Sequence, residues 1–350
     1  MANLLVTGGA GFIGGNFVHY WNAQHPDDHV VVLDALTYAG NRSTLAGANR
    51  TELIEGDIRD QNLVEDLLRD HEISTIVHFA AESHVDRSIT GPDAFIETNI
   101  LGTNALLKAA RAVWLSGDGV DHRFHHISTD EVFGSLGEED PAFSETTPYA
   151  PNSPYSASKA ASDHLVRAYH HTYGLDVTTS NCSNNYGPYQ YPEKLIPLFL
   201  LNALSGKGLP IYGDGMNVRD WLHVEDHCRG IEACLAKGKP GETYNIGGGA
   251  ELANMTVIDT ICAEVDRAFE EVEDLADRYA DAPAAQGRRS ATLKTFVADR
   301  AGHDRRYAID ESKARTQIGY APQRGFDEGL RQTLRWYLDR EDWWRPLLRG

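Results

Sequence analysis

Short apolar runs alternate with longer stretches of helical apolar spacing along the first half of the chain. Short apolar runs bounded by glycine or polar residues are typical of buried strands. The predicted strands are Asn3–Thr7, His29–Asp34, Leu53–Glu55, Thr75–Phe79, Arg123–Ser128 and Asp176–Asn181. Helical spacing is found from Gly14 to about Gln24 and over Leu63–His71, Ala94–Leu115 and Ala157–Tyr173. Strands that alternate with helices form βαβ units, so the pattern predicts an α/β fold with a mainly parallel sheet.

The second half of the chain has a different pattern. Gly187–Pro192 is rich in Gly, Pro and Tyr and predicts a loop. Only short regular pieces are expected between the later glycine-containing segments, which are Gly213–Gly215, Lys237–Gly241 and Gly247–Gly249. Glu242–Ile246 could return to the main sheet as a late strand, and the acidic, Ala-rich segment Glu270–Arg289 predicts a helix followed by a surface loop. We therefore expect a second, smaller domain built from non-contiguous segments.

Composition places the chain among ordinary globular proteins. Of its 350 residues, 41% are hydrophobic and 24% are charged, which excludes a disordered or fibrous chain. The length suggests about two domains.

Acidic residues outnumber basic ones by 51 to 32, giving a net charge of −19. Nucleic-acid binding needs a basic face, so we expect no nucleic-acid partner. Neither an apolar run of roughly 18 residues nor a secretory leader is found, so we expect a cytoplasmic protein without a membrane partner.

The cysteines and histidines do not have metal-site spacing. The four cysteines form no C-x-x-C pair, and the 15 histidines contain no H-E-x-x-H motif. The cysteines are Cys182, Cys228, Cys234 and Cys262. We expect reduced, buried thiols and no metal ion.

A glycine-rich turn follows the first predicted strand. Gly8, Gly11 and Gly14 have the spacing G-x-x-G-x-x-G, with a helix predicted after them. Such a turn lets a pyrophosphate approach the backbone at the positive end of a helix. Asp34, 20 residues after Gly14, is placed to bind ribose hydroxyls and to repel a 2′-phosphate, which favours NAD over NADP. Asp57, after the third strand, is placed to meet the adenine ring. The alternative is a turn that only caps the helix.

Candidate catalytic residues follow in chain order. Ser128-Thr129-Asp130-Glu131 closes the fifth predicted strand, and Tyr155 and Lys159 lie where the next helix opens. The i, i+4 spacing places the tyrosine and the lysine on one helix face. There the ammonium is expected to lower the pKa of the phenol, giving a phenolate base near neutral pH, and to hold the nicotinamide ribose. A Y-x-x-x-K pair can also be an ordinary surface pair, but the glycine turn and the strand-end Ser-Thr favour the catalytic interpretation.

Together these motifs resemble the extended short-chain dehydrogenase/reductase family, in the branch that acts on nucleotide sugars. The resemblance covers nearly the whole chain and narrows to the dTDP-glucose 4,6-dehydratases. The blocks that carry it are Asp130-Glu131 after Thr129, Ala80–Ser88, Asn184–Gln190, Pro192–Pro197, Arg219–Trp221, Asp299–Asp310 and Trp336–Trp344.

The resemblance implies a fold and an assembly. The fold is a Rossmann-type doubly wound parallel sheet with a smaller, discontinuous substrate-binding domain. Residues 1–185, rejoined by about 216–249, would bind NAD, and residues 186–215 and 250–350 would bind the nucleotide sugar. A homodimer is implied, with Ala94–Leu115 and Ala157–Tyr173 pairing across a two-fold axis into a four-helix bundle.

The implied reaction is a redox-neutral dehydration with tightly bound NAD, in deoxysugar (rhamnose-type) biosynthesis. Tyr155 would take the C4 hydroxyl proton while the C4 hydride passes to NAD, and Thr129 would hold the C4 oxygen. Glu131 would then remove the C5 proton, Asp130 would protonate the departing C6 hydroxyl, and the hydride would return to C6. The two carboxyl groups then need opposite protonation states and different environments. In isolation, both carboxylates would be helix caps or solvent-exposed groups.

The resemblance also implies binding residues. Those for NAD are Gly8, Gly11, Phe12, Ile13, Gly14, Asp34, Thr37, Asp57, Ile58, Ala80, Ala81, Ser83, Asn99, Tyr155, Lys159 and Asn185. Those for the substrate are His84, Thr129, Asn184, Glu193, Lys194, Leu195, Pro210, Tyr212, Arg219, Asn254 and His303. Arg219 is the expected diphosphate ligand because a guanidinium matches phosphate oxygens in a fork, and a surface ion pair is the alternative. His84 is either a ligand or a structural histidine.

Three other functions stay open. A nucleotide-sugar 4-epimerase shares the fold but usually carries small or non-acidic residues where Asp130 and Glu131 stand. A 4,6-dehydratase for another NDP-glucose would differ in the base that it binds. A non-catalytic NAD-binding scaffold is expected to lack the tyrosine, the lysine or the acid–base pair. All of these residues are present, so an NAD-dependent hydro-lyase is the main hypothesis.

Overall fold

The computed structural model, which describes residues 2–116, 119–299 and 304–348, is built on a seven-stranded sheet. The strands are β1 (Asn3–Thr7), β2 (His29–Asp34), β3 (Thr51–Glu55), β4 (Thr75–His78), β5 (Arg123–Thr129), β6 (Val177–Cys182), β7 (Asn184–Tyr186), β8 (Leu209–Tyr212), β9 (Val218–His223), β10 (Thr243–Ile246), β11 (Glu251–Ala253) and β12 (Lys294–Val297). The central order is β10-β6-β5-β4-β1-β2-β3, and every neighbouring pair in it is parallel. This is the doubly wound arrangement. The predicted α/β class and the late strand of the main sheet are confirmed.

Helices cover both faces of this sheet and also build much of the second half of the chain. They are α1 (Phe12–Gln24), α2 (Gln61–Asp70), α3 (Val85–Thr90), α4 (Asp93–Phe95), α5 (Thr103–Trp114), α6 (Pro154–Tyr173), α7 (Leu195–Leu204), α8 (Val224–Lys237), α9 (Asn254–Glu271), α10 (Leu275–Arg278), α11 (Ser312–Ile318), α12 (Phe326–Asp339) and α13 (Glu341–Trp344). Helices α1 and α8 pack on one face, and α2, α5 and α6 pack on the other. Within the described ranges, no helix is both long and apolar enough to cross a membrane.

The two faces of the sheet are filled by alternate residues of the same strands. Leu4 and Val30 join the core under α1 and α8, whereas Leu5 and Val31 join the core under α2, α5 and α6. Successive strand residues point to opposite faces, so a strand buried on both sides has a continuous apolar sequence. This is why the apolar runs locate these strands so closely.

The predicted helix Ala94–Leu115 is not one regular helix. After α4, residues Ile96–Gly102 form π-helical turns, and α5 continues from Thr103. The wider turns contain Asn99, which is 1% exposed. Its amide nitrogen donates to Ser158 Oγ at 2.8 Å and to the Glu82 carbonyl at 3.0 Å. π-Helical turns commonly mark functional sites, and this one ties the helix to the segment after β4.

The second half holds more regular structure than the sequence indicated. The expectation of only short pieces between the later glycine segments is wrong, because α8 is a full helix of 14 residues there. Before these segments, α7 is a further helix of 10 residues. The predicted helix and surface loop over Glu270–Arg289 is also wrong in detail. Helix α9 ends at Glu271, and the following segment is anchored by the fully buried Leu275 and Ala282. These elements pack with α12 into a separate large apolar cluster.

Two smaller sheets complete the second half. Strand β9 pairs in parallel with β7 and antiparallel with β11, and β8 pairs in parallel with β12. Strand β7 begins two residues after β6 ends. The small sheet therefore starts beside the carboxyl ends of the main strands.

Candidate active site

A cavity of about 550 Å³ lies at the carboxyl ends of the main strands. This is where open α/β sheets bind ligands, and its volume suits a small-molecule site. The sequence-predicted residues that line it are Gly8, Gly11, Phe12, Ile13, Gly14, Asp34, Thr37, Asp57, Ile58, Ala80, Ala81, Ser83, Thr129, Asp130, Glu131, Tyr155, Lys159, Asn184, Asn185, Glu193 and Lys194. One cavity therefore brings together all the catalytic candidates and all the NAD candidates except Asn99, but only four of the ten substrate candidates that the structure describes, which are Thr129, Asn184, Glu193 and Lys194.

The glycine turn forms a tight cradle at one end of the cavity. Gly8 has φ +71°, and a Cβ at Gly14 would lie 2.4 Å from the Gly8 carbonyl oxygen. A side chain at Gly14 would collide with that backbone oxygen. Because glycine has none, the turn stays tight and its backbone stays accessible to a ligand. Helix α1 begins at Phe12, and its N-terminal amides carry partial positive charge. The turn thus fits the pyrophosphate of a dinucleotide.

Asp34 lies at the edge of this cradle. Its two carboxylate oxygens accept hydrogen bonds from the backbone N–H groups of Ala10 at 2.9 Å and Leu36 at 2.8 Å. Burial raises the pKa of Asp34, and these two hydrogen bonds oppose that rise. The backbone therefore fixes the carboxyl group at the cavity wall, as ribose recognition requires. Asp57 also lines the cavity, but it forms an ion pair with Arg59 at 2.7 Å.

The catalytic candidates meet at the other end of the cavity. Thr129 ends β5, and Asp130 begins a tight 3₁₀ turn after it. Tyr155 and Lys159 lie in the first turns of α6, whose start is fixed by a capping box between Ser153 and Ser156 and by a proline in its first turn. The Lys159 ammonium donates to the Ile127 carbonyl oxygen at 2.7 Å.

Asp130 is buried in a way that favours its neutral form. It is 2% exposed, its Oδ1 accepts one long hydrogen bond from Thr129 at 3.4 Å, and Oδ2 has no hydrogen-bond partner within the described chain. Burial and the charges of Glu131 and Asp220 raise the pKa of Asp130 well above its usual value. A protonated Asp130 beside Glu131 can give a proton where the cavity needs an acid.

The predicted phenolate near neutral pH is not what this environment produces. Burial, followed by the charge of Glu131 and the neighbouring Cys182, raises the pKa of Tyr155 well above its usual value, and a hydrogen bond with Thr129 opposes this only in part. The ammonium of Lys159 is directed at a backbone carbonyl. In the protein alone, Tyr155 is a neutral phenol.

Five predicted site residues in the described chain lie on α7, α9 or β8, or behind the cavity wall. Asn99 supports the wall from behind through Glu82 and Ser158. Leu195 begins α7, Asn254 begins α9, and Pro210 and Tyr212 lie on β8. The predicted His303 lies outside the described residues.

Arg219 and His84 have defined partners. The Arg219 guanidinium stacks on the Tyr307 ring, 4.3 Å from its centroid, and donates to the carbonyl oxygen of Asp304 at 2.9 Å. It is 8% exposed and lies close enough to Asp130 to lower that acid's pKa in part. His84 caps α3, and its Nε2 is 3.6 Å from Glu193. His84 therefore has a structural role as a helix cap. His84 and Arg219 both lie next to the predicted site.

Sequence reasoning missed several side chains around the cavity. Tyr38, which follows Asp34 in the same loop, lines it, and the Arg87 guanidinium lies 3.6 Å from the Tyr38 ring centroid. Arg87 also pairs with Glu193 at 3.2 Å. The nearness of Tyr38 to Asp34 in sequence could have suggested it, whereas Arg87 has no local signal. The other missed residues include Glu82, Cys182, Gln190 and Tyr191.

The cysteines and acidic residues do not assemble a metal site in the part of the chain that the structure describes. No group of three or more His, Cys, Asp or Glu side chains there could hold a metal ion. All four cysteines are buried free thiols.

Comparisons with known proteins agree with this geometry. The family model described as GDP-mannose 4,6 dehydratase matches residues 5–333. A dTDP-glucose 4,6-dehydratase of Xanthomonas campestris is 54% identical over 356 residues, which cover 100% of this chain and 97% of that protein. The structure of DesIV, a dTDP-glucose 4,6-dehydratase from Streptomyces venezuelae with NAD bound, is 48% identical with a TM-score of 0.87 and covers 99% of both chains.

A solved structure with a different activity matches this chain at lower sequence identity. The UDP-glucose 4-epimerase of Thermotoga maritima, solved with UDP-glucose, has a TM-score of 0.82 and 27% identity, covering 96% of this chain and 99% of that one. The fold is therefore shared between the two activities, while the high identity is to dehydratases. The chain belongs to the dTDP-glucose 4,6-dehydratase family.

Proposed function

We propose that the protein is an NAD-dependent hydro-lyase that converts dTDP-glucose into dTDP-4-keto-6-deoxy-glucose, in deoxysugar biosynthesis. The observation that carries this is the pair Asp130-Glu131 at the end of β5. The pair lines the same cavity as Tyr155 and Lys159, and burial favours the neutral acid in Asp130. An elimination needs an acid and a base side by side, and a simple epimerisation at C4 does not.

The residues divide the chemistry between them. NAD, when bound, accepts the hydride from C4 and returns it to C6, so the overall reaction is redox-neutral. Tyr155 takes the C4 hydroxyl proton, and Thr129, which hydrogen-bonds Tyr155, holds the C4 oxygen. Because the raised pKa leaves Tyr155 a neutral phenol in the protein alone, we infer that it releases its own proton to solvent and becomes the phenolate base only when the positive charge of bound NAD lies beside it.

Elimination then uses the adjacent pair. Glu131 takes the C5 proton, which the 4-keto group acidifies. Asp130 gives its proton to the C6 hydroxyl, which leaves as water while the C5–C6 double bond forms. C5 regains a proton from Glu131 or solvent when the hydride returns to C6, and the proton that Tyr155 took replaces, through solvent, the one that Asp130 gave. General acid–base catalysis of this kind contributes about 10²–10⁴-fold each.

Binding is assigned to two groups of residues. We propose that the Gly8–Gly14 turn, Asp34 and Lys159 hold NAD. For the nucleotide sugar we propose the predicted discontinuous domain, residues 186–215 and 250–350, together with Arg219. The support is that Glu193 and Lys194 of the first segment line the cavity together with Asn184, and that Arg219 is buried near Asp130.

We also infer a cytoplasmic homodimer. The support is that exposed apolar side chains lie on the π-helical segment and at the end of α6, where Ile96, Leu101 and Tyr173 are 48%, 54% and 42% exposed. These are the helices that the family resemblance assigned to a four-helix bundle.

Mass spectrometry after incubation with dTDP-glucose tests the function. The product is expected to be lighter by one water, and substrate deuterated at C4 is expected to carry deuterium on C6. UDP-, CDP- and GDP-glucose in parallel identify the base. Turnover without a mass change would indicate a 4-epimerase, and no turnover with any of the four would favour a non-catalytic scaffold.

A further inference from the structure

A buried polar cluster that the proposed reaction does not use lies beneath the Tyr155–Lys159 pair. We call it the Asp163 cluster, and its members are Asp163, His126, Ser128 and Tyr149. Asp163 follows Lys159 by one helical turn on α6 and is 6% exposed. Ser128 Oγ donates to it at 2.8 Å, the Tyr149 hydroxyl at 2.9 Å, and His126 Nε2 lies 3.0 Å away.

The charge state of the cluster follows from its donors. Burial, together with the nearby Lys159 charge, lowers the pKa of His126 to about 4, so the ring is neutral. His126 Nδ1 is buried and has no hydrogen-bond partner in the described chain. The hydrogen therefore belongs on Nε2, where it is donated to Asp163. Three donors converge on one carboxyl group, and that arrangement favours the carboxylate.

A buried ammonium such as that of Lys159 needs a negative charge nearby. It is 5% exposed, and burial lowers its pKa, an effect that the Asp163 charge opposes more than any other group. Lys159 donates to the Ile127 carbonyl rather than to the carboxylate. The donors from His126 and Tyr149 thus hold the carboxylate in place below the ammonium.

The other titratable groups around the pair do not supply this charge. Burial lowers the pKa of His78 and raises that of Cys182 to about 12, so both are neutral near pH 7. Tyr149 and Tyr155 are neutral phenols for the same reason. The neutral titratable groups next to Lys159 or Asp163 on β4, β5, β6, α6 and the loop before α6 are His78, His126, Cys182, Tyr155 and Tyr149. Two acids stand in the turn after β5: the Glu131 charge acts on Tyr155, and burial favours the neutral form of Asp130.

We propose that Asp163 is a positioning residue for the reaction: its fixed carboxylate is the counter-charge that keeps Lys159 an ammonium in a buried site. Through Lys159 it supports proton removal by Tyr155 and the hold on the nicotinamide ribose. This assignment rests on the proposed function for its consequence, but the charge state of Lys159 can be measured without turnover.

Asp163→Asn removes the charge and keeps the shape. The amide oxygen can accept from Ser128 and Tyr149, and the amide nitrogen can donate to His126 Nε2 if the ring hydrogen moves to the unpartnered Nδ1. Tyr149→Phe is the matched control, because it disturbs the same cluster and leaves the charge. Asp163→Glu restores the charge, and Asp163→Ser is a second neutral variant should the asparagine variant not fold.

Two readouts test the proposal on the NAD-loaded enzyme. The first is the pH dependence of single-turnover C4 oxidation. The second is competitive acetylation of Lys159 with acetic anhydride across pH, read by peptide mass spectrometry. Removing a nearby negative charge lowers the pKa of an ammonium, so both the alkaline fall in rate and the Lys159 labelling curve are expected to move to lower pH by about one pH unit in Asp163→Asn.

The controls separate charge from structure. Tyr149→Phe and Asp163→Glu are expected to keep both curves at the wild-type position. If Asp163→Asn only slows the reaction or lowers stability, with both curves unmoved, Asp163 is merely structural and the proposal is wrong. Should wild type fail to dehydrate dTDP-glucose, the proposed function fails, while the labelling curve still decides the role of Asp163.

Discussion

Replacing Asp130 by asparagine should separate oxidation from elimination. The substitution keeps the shape of a group that is 2% exposed and removes its transferable proton. Tyr155 and Glu131 do not depend on that proton, so C4 oxidation and C5 proton removal are expected to continue. Loss of the general acid should slow water departure by about 10²–10⁴-fold, which corresponds to about 3–5 kcal/mol in the barrier.

The same substitution should hardly affect folding at low pH. Asp130 makes one long hydrogen bond, to Thr129 at 3.4 Å, so its loss costs about 1 kcal/mol or less. The pKa of Asp130 is raised in the folded state by burial, then by Glu131 and Asp220. Its contribution to wild-type stability is therefore present below the unfolded-state pKa and is lost as the pH rises through the folded-state pKa. Asp130→Asn should gain stability relative to wild type over that pH range.

Single-turnover measurements in D₂O resolve the steps. NADH absorbance reports C4 oxidation, exchange at C5 reports the base, and product mass reports elimination. Glu131→Gln is the matched variant, and it should oxidise C4 without exchanging C5. Wild-type product formation by Asp130→Asn, or a normal rate of C5 exchange in Glu131→Gln, would refute this division of roles.

Three further predictions follow from contacts around the cavity and on the surface. Asp34→Asn removes a fixed negative charge and should narrow the preference for NAD over NADP by about tenfold or more, about 1.4 kcal/mol; equal Kd ratios in variant and wild type would reject the role of Asp34. Arg87→Gln removes the cation over the Tyr38 ring and the ion pair with Glu193. The variant should release NAD about two- to fivefold faster, as expected for the loss of about 0.5–1 kcal/mol. The control is Arg345→Gln, which removes a cation over Trp344 away from the cavity. Light scattering should show a wild-type dimer and a Leu101→Glu monomer, and an active wild-type monomer at micromolar concentration would contradict the proposed interface.

The sequence located the main sheet well because strands buried on both faces leave an unbroken apolar signal. Strands β1 and β2 have the predicted bounds. Helix α8 was missed because its buried face includes Cys228 and Cys234, and the glycines around it suggested loops. The π-helical turns at Asn99 have no periodic signature of their own.

Site residues could be predicted from the sequence where they form short motifs. Properties that depend on burial in the folded chain could not. The glycine turn, the Asp130-Glu131 pair and the Tyr155–Lys159 spacing are all short motifs. The raised pKa of Tyr155 comes first from burial and then from groups on other elements, Glu131 and Cys182. Residues such as Arg87, which reaches the cavity through Tyr38, are brought there by the fold alone.

Two buried aspartates near the catalytic tyrosine illustrate how the fold sets charge. Asp130 has one long hydrogen bond and an oxygen without a partner in the described chain, and burial raises its pKa. Asp163 is about as buried but receives three donors. Donors to the charged form stabilise it, and their lack leaves desolvation to dominate. The same residue type can thus supply a proton at Asp130 and, we propose, a negative charge at Asp163, so an acid and an ammonium coexist at one buried site.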